Sequence, residues 1–208
     1  MNRPSDWKAR WIWCGEPASR PFHCACFRHS FTLDEAATEA KLVSTADSKY
    51  WIWLNGDYLG FGPARGHAEH PYVDTRKVRL RKGQNTVAVR VQHYTDKTAL
   101  FAAVEGGLFC QLDVADKTVA ATGEDWRVLS PGASTGMSGT LFPERFDARK
   151  EPEGWTDPAY NDGDWPSAVL PEPNALAEPE AFLPRPIPLI EEDQLDPPLV
   201  LRTGRDED

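Results

Sequence analysis

Lys49-Tyr-Trp-Ile-Trp-Leu-Asn-Gly-Asp-Tyr-Leu-Gly-Phe-Gly-Pro-Ala-Arg-Gly66 decides the fold class. Trp51 and Trp53 project to one side of an extended chain while Tyr50, Ile52 and Leu54 project to the other, the period of two that a strand imposes. Asn55-Gly56 then supplies the two left-handed residues of a tight type I′ turn. Asp57 to Gly62 reads as the return strand, with glycines where a bulge or close backbone approach is expected, and Pro63 to Gly66 carries the chain into a loop. Aromatic rings on a central strand are expected to pack mostly into the core.

Outward from this hairpin the pattern repeats. On the N-terminal side, Trp7 to Cys14 reads as a first strand. Cys24 to Leu33 sets Ala25, Phe27, Phe31 and Leu33 on one face and Arg28, Ser30 and Thr32 on the other, and Thr38 to Ala46 turns Ala40, Leu42 and Ala46 inward. On the C-terminal side, Tyr72 to Leu80 is a weaker strand, Arg81 to Asn85 a polar turn, and Thr86 to Tyr94 a strand with Val87, Val89 and Val91 on one face. Thr95 to Glu105 is ambiguous, and Leu108 to Val114, Thr118 to Thr122 and Trp126 to Leu129 complete the series. Turn signals every 8 to 12 residues predict an all-β antiparallel β-sandwich. Ser130 to Thr140, rich in Gly and Ser, is expected to be an exposed loop. The expected division is a sandwich domain over 1–170 and a Pro-rich extended connector with a frayed tail over 171–208.

Composition supports this reading. Eight Trp and eighteen Pro against two Met, in 208 residues, suit an aromatic, turn-rich β protein, and a domain of about 150 residues buries roughly 70% of its unfolded surface. The net charge of −9, without a long Lys/Arg cluster, argues against a nucleic-acid or anionic-membrane partner. No apolar run approaches the roughly 20 residues that span a membrane, and the first residues lack a signal-peptide core, so the expected location is the cytoplasm. Cys14, Cys24, Cys26 and Cys110 form no Cys-x-x-Cys pair and are expected to be buried free thiols.

Several residue sets carry candidate chemistry. Asn161, Asp162 and Asp164, between Trp155 and Trp165, offer oxygens to Ca²⁺, although Asn-Asp-Gly also makes an ordinary turn that two indoles anchor on the sandwich. Glu144 and Asp147 resemble the carboxylate pair of glycoside hydrolysis, about 5 to 9 Å apart in such enzymes. The reading preferred here has Arg145 and Arg149 neutralising them and Phe146 anchoring the segment, in a salt-bridged or sugar-contacting loop. His67 and His70, followed at once by Pro71, lack the spacing of a helical zinc pair and suit a solvated loop. Trp13, Trp51, Trp53 and Tyr58 are candidate sugar-stacking rings. Arg65 is the more attractive sugar-facing group, because a guanidinium donates two parallel hydrogen bonds to vicinal hydroxyls. The candidate carbohydrate-binding residues are therefore Arg65, His67, Glu144, Asp147 and Arg149, with no metal and no catalytic residue assigned. No Gly-x-Ser-x-Gly elbow, P-loop or dinucleotide fingerprint is present.

In order along the chain, Trp11 to Cys14, Tyr50 to Arg65, Leu80 to Val91 with Lys82-Gly83-Gln84-Asn85, Glu144 to Arg149, Gly154-Trp155, Asp162 to Trp165 and Pro184 to Pro188 resemble the N-terminal domain of α-L-rhamnosidase-like glycoside hydrolases. The resemblance implies a galactose-binding-like jelly roll placed ahead of further domains and an (α/α)₆ catalytic barrel. It also implies calcium-dependent rhamnose binding in some relatives, with no ligand set that transfers to these residues. The barrel lies outside this sequence, so the expected role is a non-catalytic accessory domain that packs on downstream domains and contacts a rhamnose-containing glycan. An autonomous carbohydrate-binding module and a protein-interaction scaffold are the alternatives.

Overall fold

Two five-stranded sheets pack around one apolar core in a computed structural model that describes residues 7–15, 22–95, 105–136, 144–173 and 175–192. The first sheet runs, in spatial order, β4 (Asp57–Gly62), β3 (Lys49–Leu54), β6 (Gly83–Tyr94), β1 (Phe22–Leu33) and β9 (Arg127–Leu129). The second runs β12 (Leu183–Pro184), β5 (Tyr72–Leu80), β2 (Ala37–Asp47), β7 (Gly107–Val114) and β8 (Lys117–Ala121). A separate ribbon pairs β10 (Ser134–Gly136) with β11 (Glu144–Phe146). Pairing is antiparallel throughout except between β12 and β5. The fold is the all-β sandwich that the alternation predicts. Among the described residues no helix is long and apolar enough to cross a membrane.

The core follows from strand alternation. Ala25 and Phe27 of β1, Tyr50, Ile52 and Leu54 of β3, and Val87, Val89 and Val91 of β6 meet Ala40, Leu42 and Ala46 of β2 and Leu108, Cys110 and Leu112 of β7. Each large aliphatic or aromatic side chain taken from water here contributes about 1.5–3 kcal/mol. In β3 the two faces divide as predicted, but the rings do not: Trp51 and Trp53 lie half-buried on the outer face. Arg90 stacks over Trp51, and the Trp53 ring meets that of Trp155 edge-on at 5.4 Å.

Three segments depart from expectation. Trp7 to Cys14 is no continuous strand, because successive residues bond to different neighbours. Ile12 exchanges backbone hydrogen bonds with Leu108 and Trp13 with Val169, so no ladder propagates. Ala133 and Ser134 are buried and Ser134 to Gly136 pairs with β11, which turns part of the expected exposed loop into sheet; residues 137–140 lie outside the described residues. β6 starts at Gly83, three residues before the predicted strand, since Gly83 (φ +85°) reverses the chain and lets Leu33 pair with it.

The largest departure is Arg28. Alternation puts it on the outer face of β1, and there it is 0% exposed, because the segment from Trp155 to Trp165 folds over it. Its Nε donates to Asp162 Oδ2 at 2.9 Å, and its guanidinium also donates to the carbonyl oxygens of Trp155, Asp157 and Tyr160 and stacks on the Tyr160 ring. Trp155 and Trp165 close the cover over Cys26 and Ala88. The two indoles thus anchor the turn as predicted, and Asp162 serves it as an ion-pair partner.

Removing Arg28 strands a carboxylate and three carbonyl groups. Arg28→Ala is expected to cost about 3–5 kcal/mol in urea unfolding, the range for breaking one side of a buried pair. Arg28→Lys should recover little, since an ammonium lacks the planar fork that reaches several acceptors.

His29 gives a second expectation. Its ring stacks on Trp126 at 5.3 Å, and burial lowers its pKa, with Asp125 opposing. A histidine depressed in the folded state binds fewer protons there than in the unfolded chain, so its contribution is complete above the unfolded value near 6.5 and is lost as pH falls from 6.5 toward the depressed value. Urea unfolding between pH 8 and pH 5 should show a stability slope that is shallower in His29→Gln than in the parent.

Candidate functional site

Strand order gathers loops at one end of the sandwich. β2 hands over to β3 through Asp47-Ser48, crossing from one sheet to the other, and β4 crosses back to β5 through 63–71. Because β3 and β4 form a hairpin, both crossings fall at the same end. The start of β1, the end of β6 and the start of β7 lie there too, as the Phe22–Tyr94, Lys49–Gln92 and Asp47–Gly107 pairs show. Loops delivered by a rigid scaffold to one edge are where binding groups collect.

A cavity of about 340 Å³ opens between these crossings and the stretch 175–177. Trp11, Tyr72 and Leu176 supply apolar wall; Asp47, Ser48, Arg65, His67 and Glu69 supply polar groups. Asp47 is fixed from behind. His93, 1% exposed, places Nδ1 at 3.0 Å from Asp47 Oδ1, and the Ser48 hydroxyl donates to the same oxygen at 3.0 Å while accepting from the Tyr94 amide. That contact puts the hydrogen of a neutral His93 on Nδ1, leaving Nε2 buried and without a partner among the described residues. Trp11 is set by donation from Nε1 to the Ala177 carbonyl at 2.8 Å and by edge contacts with Phe109 and Phe182. The loop itself is the exposed turn that the sequence predicts: the His70 amide donates to the His67 carbonyl, and the Glu69 amide to His67 Nδ1.

The five candidate residues fall into two places. Arg65 and His67 line this cavity. Glu144 lies over the outer face of the first sheet, Asp147 pairs with Arg149, and Arg149 lines a separate cavity of about 590 Å³ with Glu151 and Trp155. Glu144 takes Arg90 Nη2 at 3.5 Å and Gln92 Nε2 at 3.4 Å, so its partner is not Arg145 as expected from sequence. Neighbours on a strand point oppositely: Glu144 and Phe146 of β11 both meet Arg90, and Arg145 turns the other way. Arg149 does clasp Asp147 through two hydrogen bonds of 2.8 and 2.9 Å, and the guanidinium holds that carboxyl down at about 2. Phe146 is 47% exposed, more a partner of Arg90 than a deep anchor.

Sequence reasoning missed Asp47 and Ser48, which lie between two predicted strands, and His93, which lies near the end of another. It also missed the network that holds the cavity loop. Asp74, 0% exposed, accepts at Oδ2 from the Tyr50 hydroxyl and at Oδ1 from Arg185 Nη1 at 3.0 Å, with Arg76 Nη2 at 3.7 Å. The Tyr50 oxygen accepts in turn from Arg76 at 2.8 Å and Ser44 at 2.9 Å, and burial pushes its phenol pKa up, keeping it a donor. Gly62 is required beside this cluster, since a Cβ there would strike the Asp74 carboxylate and the Tyr50 ring. A motif signal existed: charged residues in a strand otherwise alternating inward, Asp74 and Arg76 in Tyr72–Leu80, and an arginine among prolines at 185.

Comparison with known proteins places these features. Residues 73–189 match the family described as the α-L-rhamnosidase N-terminal domain. An α-L-rhamnosidase of Streptomyces avermitilis is 32% identical over 160 residues, covering 66% of this chain and 15% of that protein. The crystal structure of a GH78 family rhamnosidase of Bacillus sp. GL1 superposes with a TM-score of 0.78 at 33% identity, over 88% of this chain and 20% of that one. A lectin from Pleurotus ostreatus, crystallised in complex with GalNAc, shares the fold at a TM-score of 0.53 and 22% identity, over 77% of this chain and 42% of that one. The chain thus spans 15% and 20% of the two rhamnosidases.

Arg185→Ala removes one of the groups that match Asp74. Amide exchange at Leu183 and Arg185, whose N–H groups donate to Pro71 and Val73, is expected to rise at least tenfold, while the amides of β6 keep their protection.

Proposed function

Because the chain belongs to the α-L-rhamnosidase N-terminal domain family, we propose that it is a non-catalytic accessory domain of a larger α-L-rhamnosidase-like glycoside hydrolase, and that its cavity holds a sugar unit of the glycan. The observation that carries the second part is the cavity's lining. A pyranose offers an apolar face to an aromatic ring and a fringe of hydroxyls to planar polar groups, and Trp11 and Tyr72 stand beside Asp47 and Arg65 in that way. Asp47 is pre-positioned by His93 and Ser48, so a ligand need not order it. The names of the relatives make a terminal L-rhamnose the first unit to test.

Calorimetric titration with L-rhamnose, aryl rhamnosides and galactosides, with calcium added and with a chelator present, tests this reading and whether a metal contributes. Asp47→Ala or Arg65→Ala should weaken binding about ten- to a hundredfold, the loss expected for a hydrogen bond to a charged group. Glu144→Ala should leave affinity unchanged. No heat with the whole panel would overturn the sugar site. The purified chain should release no phenol from an aryl α-L-rhamnoside; turnover abolished by Glu144→Gln and Asp147→Asn would overturn the non-catalytic role.

A further inference from the structure

None of the four cysteines forms a disulfide, and three of them are inert by burial. Cys24, Cys26 and Cys110 are at most 6% exposed; burial pushes the first two thiols up and that of Cys110 up to about 12. Cys24 and Cys26 also project to the face of β1 opposite to His23, by alternation along the strand. Cys14 differs in both exposure and company. It is only partly buried, and its Sγ lies 3.3 Å from His23 Nε2.

The hydrogen on that nitrogen can be placed. Ser130 Oγ is 2.8 Å from His23 Nε2 and donates its proton to the Cys24 carbonyl at 3.0 Å. A hydroxyl has one proton to give, so toward His23 it accepts, and Nε2 must carry the hydrogen. The Cys14 sulfur, 3.3 Å from the same nitrogen, shares that N–H with Ser130 Oγ, the nearer acceptor. The Trp13 ring, 5.7 Å from the imidazole, packs on it and restrains its orientation. A nitrogen donor held against a sulfur favours thiolate over thiol, and the thiolate is the nucleophile.

We propose that Cys14 is a nucleophilic thiol, activated by His23, and a site of covalent modification by hydroperoxides and soft electrophiles. With a hydroperoxide, the thiolate attacks the terminal oxygen. The S–O bond forms as the O–O bond breaks; sulfur loses two electrons, and the departing alkoxide or hydroxide takes a proton from water. The balance is thiol plus hydroperoxide giving sulfenic acid plus alcohol or water. His23 is a positioning residue that sets the thiolate fraction. Ser130 fixes its tautomer.

The test is alkylation of the native chain by iodoacetamide across pH 5 to 9, read site by site by peptide mass spectrometry. Cys14 should react fastest of the four. At pH 7 it should react about tenfold faster than glutathione, because a free thiol of pKa about 8.5 is only a few per cent thiolate there. His23→Gln should move its pH profile to that of glutathione, and Ser130→Ala should move it part of the way. Hydrogen peroxide followed by dimedone should leave its adduct on Cys14 alone. A wild-type profile that coincides with that of glutathione overturns the proposal by itself, even if the His23 variant does not fold; so does a folded His23→Gln protein with an unchanged profile.

Discussion

A carboxylate shut away from water costs several kcal/mol unless donors meet its oxygens, and Asp74 meets that demand with groups from separate parts of the chain. Tyr50 comes from the first sheet, Arg76 from its own strand, and Arg185 from the Pro-rich segment more than a hundred residues away. Each donor is tied onward: Arg76 to the Leu59 and Phe61 carbonyls of β4, Arg185 to those of Ile187 and Pro188. One buried charge therefore fixes the spacing of the sheets at that point, the path of β4, and the lie of the last described segment. Apolar burial supplies most of the stability of the sandwich, but it is non-directional. A matched ionic cluster is directional, and a cluster with this many partners tolerates one arrangement.

The same end of the sandwich holds the candidate site, and this is a consequence of chain path. Two crossings between sheets, at Asp47-Ser48 and over 63–71, start from the strands that the Asp74 cluster clamps. The cavity wall is thus carried on backbone whose position is set from below. Asp47 repeats the logic on a smaller scale, with His93 buried behind it and Ser48 bridging to the backbone of Tyr94. Rigid polar groups beside aromatic rings are what a weakly held neutral ligand needs, because little conformational entropy remains to be lost on binding. On the other face of the first sheet the chain covers its polar groups instead: Arg28 under the Trp155–Trp165 loop, and Arg90 between Trp51 and Phe146. That contrast is why the cavity end, rather than the loop bearing Glu144 and Asp147, is the better candidate for ligand contact.

The chain matches 15% of one rhamnosidase and 20% of another, so it corresponds to one part of those longer proteins. Glu144 and Asp147 are each occupied by cations, one by Arg90 and the other by Arg149. Both carboxylates are paired in this arrangement, whereas Arg65 and Asp47 line a cavity of about 340 Å³.

Sequence alone determined the longer strands, because alternation is a local property: Tyr50, Ile52 and Leu54 had to face away from Trp51 and Trp53, and Asn55-Gly56 had to turn. It also determined the sandwich class, from the spacing of those strands, and it picked out Arg65 and His67 on the loop after the hairpin. What alternation does not say is what lies over a face. Alternation puts Arg28 on an outer face, which the Trp155–Trp165 loop, distant in sequence, covers, and the two tryptophans of β3 form an outer layer, Trp53 against Trp155 of that loop and Trp51 under Arg90. The partners of Asp74 and Asp47, and the approach of Cys14 to His23, likewise join residues that only the folded chain brings together. Strand identity is written over a few residues, whereas burial and polar pairing depend on long-range contacts that the tertiary structure alone creates.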